Sequence, residues 1–110
     1  MNNAYQRFET LRFDLDDKVL TVRFNRPQAL NAVNATLHRE LSQVFPLIAA
    51  DPGVEAVVLT GEGRAFSAGG DIEWFRDITP AQLDALFVEA RKIIVEMVMV
   101  EVSCAAMSRK

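Results

Sequence analysis

Ala56-Val57-Val58-Leu59 places four apolar residues in a row without alternation, just after the turn signal Asp51-Pro52-Gly53. A strand with one wet face alternates apolar and polar positions, so an unbroken run implies burial on both faces, as in a parallel sheet. Residues 54–60 are therefore expected to be a strand inside a sheet. The chain then continues as Arg64-Ala65-Phe66-Ser67-Ala68-Gly69-Gly70-Asp71-Ile72. A buried strand runs into a Gly-Gly bend, and Asp71 opens a short helix predicted to reach Asp77. That order aims bare backbone N–H groups and the positive end of a helix dipole at one spot. Such a spot holds an anion, or a carbonyl oxygen becoming one. From the residues alone two readings stand: an oxyanion site, or a tight turn capped by Asp71.

The flanking segments fit a layered α/β arrangement. Residues 8–14 and 19–24 read as a hairpin around the acidic turn Asp16-Asp17; Leu20, Val22 and Phe24 alternate with Thr21 and Arg23. Asn34 is the expected N-cap of a helix to about Ala50, with Leu37, Leu41, Val44 and Ile48 forming one buried stripe. Pro46 falls inside it and is expected to kink or shift its far end. Thr79-Pro80-Ala81-Gln82 has an N-cap threonine, proline at the first helical position and a capping-box glutamine. Leu83, Leu86, Phe87, Ala90, Ile94 and Met97 then mark the predicted buried face. The order β-β-α-β followed by a helix implies α/β. Residues 103–110 show neither a strand pattern nor a helix stop.

Composition excludes several classes. The 110 residues suffice for one small domain. A net charge of −3 advertises no surface for nucleic acid. No signal peptide or membrane-spanning run is found, since Glu96 and Glu101 break the longest apolar stretch. The lone cysteine, Cys104, forms no internal disulfide and is not read as a nucleophile; a cytoplasmic location is expected. Gly61-Glu62-Gly63 lacks the Lys-Ser/Thr of a phosphate loop and reads as a flexible approach to the bend, which weakens an unrelated nucleotide-binding reading. Metal-ligand spacing is absent, Met97, Met99 and Met107 read as packing residues, and His38 reads as a surface or boundary histidine.

Four segments taken together resemble the enoyl-CoA hydratase/isomerase (crotonase) family. They are Asn25-Arg26-Pro27-Gln28-Ala29-Leu30-Asn31-Ala32, Glu40-Leu41 on a helix, residues 51–61, and Ala65-Phe66-Ser67-Ala68-Gly69-Gly70-Asp71-Ile72. Their order and spacing are specific, and the resemblance spans residues 8–102. It implies the N-terminal part of a (ββα)n spiral fold, with the C-terminal half missing and residues 103–110 as a divergent tail.

The resemblance also implies chemistry. Family members act on acyl-CoA thioesters and hold an enolate oxygen with two backbone N–H donors. Gly70 matches one donor. Ala68 matches the position whose backbone contacts the adenine end of CoA, and Gln28, Ala29 and Leu30 match the other lip of the CoA site. Gly69, Asp71 and Ile72 complete the binding segment, Asp71 with a local structural role. CoA is part of the substrate, so no separate cofactor and no metal are implied. Glu73 stands where a basic residue is common, leaving Arg26 and Arg64 as substitutes for contacts to phosphate. The family's second Gly-rich segment, its acid/base carboxylates and the C-terminal helices that complete its trimers and hexamers have no counterpart here. Glu62 and Glu73 match no acid/base position. The expectation is a truncated or frame-shifted chain, inactive alone, with a non-catalytic CoA-binding or homologue-pairing remnant as the alternative.

Overall fold

The computed structural model describes residues 3–99 and 103–106. Four strands form one sheet in the order β1 (Leu11–Asp16), β2 (Val19–Phe24), β3 (Ala56–Gly61), β4 (Ser103–Ala106). The first pair is antiparallel, and β2–β3 and β3–β4 are parallel. Helix α1 (Ala35–Ala49) links β2 to β3, while α2 (Ile72–Arg76) and α3 (Pro80–Met99) link β3 to β4.

The hairpin forms later in the chain than expected. Asp17 and Lys18, rather than Asp16 and Asp17, make the turn, with φ of 48° and 65°. Two successive left-handed residues match the twist of a tight hairpin. Phe8 stays outside β1 because the Glu9 and Thr10 amides are taken by the Glu40 carboxylate, each at 2.8 Å, instead of by a strand. Glu40 is itself buried, so these charge-assisted bonds fasten the amino-terminal segment to α1.

Asn34 caps α1 as expected, its side chain accepting from Leu37 N at 2.9 Å. The stripe Leu37, Leu41, Val44 and Ile48 is buried against Leu20, Val22 and Val57 of the sheet in one core cluster. The helix runs through Pro46 to Ala49, so the proline does not end it early. In β3 the expectation of two buried faces holds in part: Val57 and Leu59 are buried, whereas Ala56 and Val58 are half-buried.

Two readings of the carboxyl-terminal third are corrected. The capping box forms, with Gln82 N donating to Thr79 Oγ1 at 3.2 Å and Thr79 N to Gln82 Oε1 at 3.0 Å. The predicted buried face of α3 forms only in part: Leu83, Phe87 and Ile94 are 39%, 63% and 60% exposed. Leu86, Ala90 and Met97 are half-buried as expected and Ile93 joins them, because apolar residues occur around most of this helix and periodicity alone does not separate its two faces. Met97 packs on the core as expected, and the side chains of Met99 and Met107 lie outside the described residues. Ser103–Ala106 forms a strand despite its pattern, pairing Val57 with Cys104 and Leu59 with Ala106. Backbone pairing to β3 needs no β-branched signature, which is why small residues hid it. Residues 107–110 lie outside the described residues.

Candidate functional site

The segment after β2 is built around Asn31. Pro27–Ala29 makes one 3-10 turn, and Leu30 and Asn31 then take left-handed conformations with φ of 53° and 57°. Asn tolerates this region, whereas Leu rarely enters it, so surrounding bonds have to hold the loop. Asn31 is fully buried and supplies them. Its Oδ1 accepts from Arg26 N at 2.8 Å, and its Nδ2 donates to Glu62 O at 2.9 Å and Ala65 O at 2.8 Å. Ser67 Oγ donates to its carbonyl at 2.8 Å.

Glu62 is therefore held by hydrogen bonds rather than lying in a flexible approach; its N also donates to Phe24 O at 2.8 Å. Gly61 is required by contact. A Cβ there would lie 2.2 Å from Ala65 O and 2.6 Å from Asn31 Nδ2. Phe66 completes the anchor by stacking on Phe24, with ring centroids 5.1 Å apart.

With both loops fixed, residues 30–33 and 68–71 run side by side. Ala68 N donates to Leu30 O at 3.0 Å, Val33 N to Gly69 O at 2.7 Å, and Asp71 N to Val33 O at 2.8 Å. Val33 and Gly70 thus form an isolated parallel bridge in which Val33 makes both bonds. A trans peptide sets C=O and N–H on opposite sides of its plane. Because Gly69 C=O faces Val33, Gly70 N–H faces away from it, and that N–H has no partner among the described residues. The Ala68 carbonyl is likewise without one. Gly69 takes φ of 98°, which a side chain would strain.

Asp71 caps α2, its Oδ1 accepting from Glu73 N at 3.0 Å. Its Oδ2 meets Arg26 Nη2 at 3.2 Å, with both side chains mostly buried. The other Arg26 nitrogen, Nη1, bonds to Ala32 O. Arg26 is committed to the frame, which removes it as a substitute contact for phosphate; Arg64 is exposed and makes no ion pair among the described residues.

The eight residues singled out from the sequence come together. Gln28, Leu30, Ala68, Gly69, Gly70 and Ile72 are exposed, Ala29 and Asp71 are half-buried, and the Leu30–Ala68 bond joins the two lips. Two clefts, of about 470 and 460 Å³, lie elsewhere. His38 has a partner after all: Nδ1 lies 2.5 Å from Glu89 Oε1, and its ring is 5.4 Å from that of Trp74. Among the described residues no three His, Cys, Asp or Glu side chains converge as metal ligands, and no helix is long and apolar enough to cross a membrane.

Sequence reasoning missed Asn31 and Phe75. A buried asparagine between two turn-forming segments is a signal for the first. Phe75 gives no local signal, yet its ring occupies the space beside Gly70: a Cβ on Gly70 would lie 2.0 Å from Phe75 Cε2. A backbone donor on a rigid frame, at the start of a helix and open to solvent, suits an oxygen that gains negative charge.

Residues 14–102 match the family described as Enoyl-CoA hydratase/isomerase. The probable enoyl-CoA hydratase echA8 of Mycobacterium bovis is 38% identical over 72 residues, which cover 66% of this chain and 28% of that protein. The hydroxycinnamoyl-CoA hydratase-lyase of Pseudomonas fluorescens is 38% identical over 79 residues, 71% of this chain and 29% of its own. Among solved structures, an enoyl-CoA hydratase/isomerase from Mycobacterium paratuberculosis superposes with a TM-score of 0.85 at 32% identity, covering 93% of this chain and 42% of that one. The chain thus spans less than a third of the length of these two sequence relatives.

Proposed function

The chain belongs to the enoyl-CoA hydratase/isomerase family, and on that footing we propose that its Gly70 N–H is one of two backbone donors to the thioester oxygen of an acyl-CoA. The observation that carries this reading is the one free amide in the bridge: Asp71 N–H and Gly69 C=O are bound to Val33, and Gly70 N–H is not. When a proton leaves the carbon beside a thioester, or water adds across a conjugated double bond, negative charge collects on the thioester oxygen. A donor already aimed there stabilises that charge without reorganising.

CoA would lie across the solvent-facing side of the two lips, which the Leu30–Ala68 bond joins. Residues 28–30 form one wall and residues 68–72 the other, with the free Ala68 carbonyl available to the adenine amino group. Gly69 and Gly70 let the substrate approach the backbone closely. CoA enters as part of the substrate, so no further cofactor is assigned.

These 110 residues supply one donor. The second donor and the acid/base carboxylates that the family uses are not among them, so on their own they bind a CoA thioester without turning it over. Calorimetry with CoA and acetoacetyl-CoA, alongside an assay of crotonyl-CoA hydration, tests both halves. Tighter binding of the thioester and no hydration above the uncatalysed rate are expected. Hydration by the purified chain would contradict the assignment of catalysis to residues outside it, and equal affinities for CoA and thioester would contradict the role of Gly70.

A further inference from the structure

We propose that Phe75 is a positioning residue for the Gly70 donor, and that Trp74 and His38 tie it to the body of the protein. The inference rests on the reading of Gly70 as the donor and adds what holds that donor in place.

Gly69-Gly70 is the most permissive dipeptide a chain can contain, so its N–H direction has to be imposed from outside. The bridge to Val33 fixes the two flanking peptide groups. It leaves Gly70 uncovered on the side of its Cα where a side chain would stand. Phe75 closes that side: its Cε2 and Cζ lie 2.0 and 2.4 Å from where a Gly70 Cβ would be, so the ring lies against the Gly70 Cα. Phe75 N donates to Asp71 O at 3.1 Å, which brings the ring back over the bend from one turn later in α2.

Helix α2 has five residues, none of them buried, and a helix this short does not persist unaided. An aromatic line supports it. Phe75 stacks on Trp74 with centroids 5.2 Å apart, Trp74 meets His38 of α1 at 5.4 Å, and His38 meets Glu89 of α3. Phe75 remains 52% exposed, so burial alone does not fix its place. Its contact with Gly70 accounts for its place.

The 110-residue chain and its Phe75→Leu, Phe75→Ala and Arg76→Ala variants are titrated with CoA and with acetoacetyl-CoA, and the urea midpoint of each is measured. Arg76 lies on the same helix, mostly exposed, and serves as the control. Phe75→Leu should reduce the preference for thioester over CoA by about tenfold, since small misplacements of a reacting group are costly. Affinity for CoA itself and the urea midpoint should stay near wild type, Phe75→Ala should deepen the loss, and Arg76→Ala should keep the full preference. A Phe75→Leu variant that keeps the preference, or that loses CoA and thioester alike, overturns the positioning role. A wild-type chain with no preference overturns the reading of Gly70 itself, and this inference with it.

Discussion

Arg26 Nη2 sits 3.2 Å from Asp71 Oδ2, joining the loop that ends β2 to the residue that opens α2, 45 positions later. The same aspartate caps α2 through its other oxygen. One carboxylate therefore sets both the helix start and the spacing between the two lips of the site. Removing it leaves Arg26 mostly buried without its counter-ion, and α2 without a cap.

Asp71→Ala should therefore destabilise the chain by about 2 kcal/mol, from cap loss and the unpaired arginine. Asp71→Asn keeps the cap and loses only the charge, and should cost about 1 kcal/mol. Urea unfolding of both variants tests this. Equal stability of Asp71→Ala and wild type would mean that the pair holds nothing together.

Asn31 offers a test that separates bonding from backbone strain. Asn31→Ala strands Arg26 N, Glu62 O and Ala65 O and places an alanine at φ of 57°, for a loss of about 3–4 kcal/mol. Asn31→Gly loses the same bonds without the left-handed penalty and should be more stable than Asn31→Ala by about 1 kcal/mol. Thermal unfolding of the two variants reads the difference directly. An alanine variant as stable as the glycine variant would deny that the loop is held in a strained conformation.

Tyr5 sets an alkaline limit. Its hydroxyl donates to Asp51 Oδ2 at 2.8 Å, and burial, with the bond to Asp51 and that carboxylate's charge, raises its pKa well above the ordinary 10.0. The folded state thus holds this proton more tightly than the unfolded state. Its contribution is fully present below the unfolded value and is lost as pH rises from about 10 through the folded value. Stability should fall above pH 10, and Tyr5→Phe should flatten that fall after a loss of about 1 kcal/mol at neutral pH. Urea midpoints taken from neutral to strongly alkaline pH test the slope; identical slopes for wild type and Tyr5→Phe would rule the tyrosine out.

Gly70 and Phe75 should couple. Gly70→Ala puts a methyl group where the Phe75 ring lies, and forcing the ring aside costs about 1–3 kcal/mol. Adding Phe75→Leu makes room, so the double variant should be more stable than the sum of the single changes predicts, by about 1 kcal/mol. Strict additivity in urea unfolding would show that the two residues do not press on one another.

These expectations rest on features that differed in how plainly the sequence displayed them. The stripe of α1, the cap at Asn34 and the capping box at Thr79 were legible because each is a local signal set by spacing. The Gly-Gly bend was legible too, and its neighbours in sequence identified the family. The inward face of α3 was legible only in part, at Leu86, Ala90 and Met97, since apolar residues occur around most of that helix. Strand β4 was hidden because its pairing comes from β3, and Ser103-Cys104-Ala105-Ala106 carries no strand pattern of its own. Arg26 illustrates the general limit: a cation near a candidate phosphate site reads as a ligand until its partner 45 residues away is seen.

The central claim concerns a single N–H. An amide NMR spectrum of the isotopically labelled chain, titrated with acetoacetyl-CoA and separately with CoA, observes that group directly. A new hydrogen bond should move the Gly70 amide proton downfield with the thioester and not with CoA alone, while the Asp71 amide, already bonded to Val33, stays nearly still. A Gly70 resonance that does not move while the thioester binds would contradict the account.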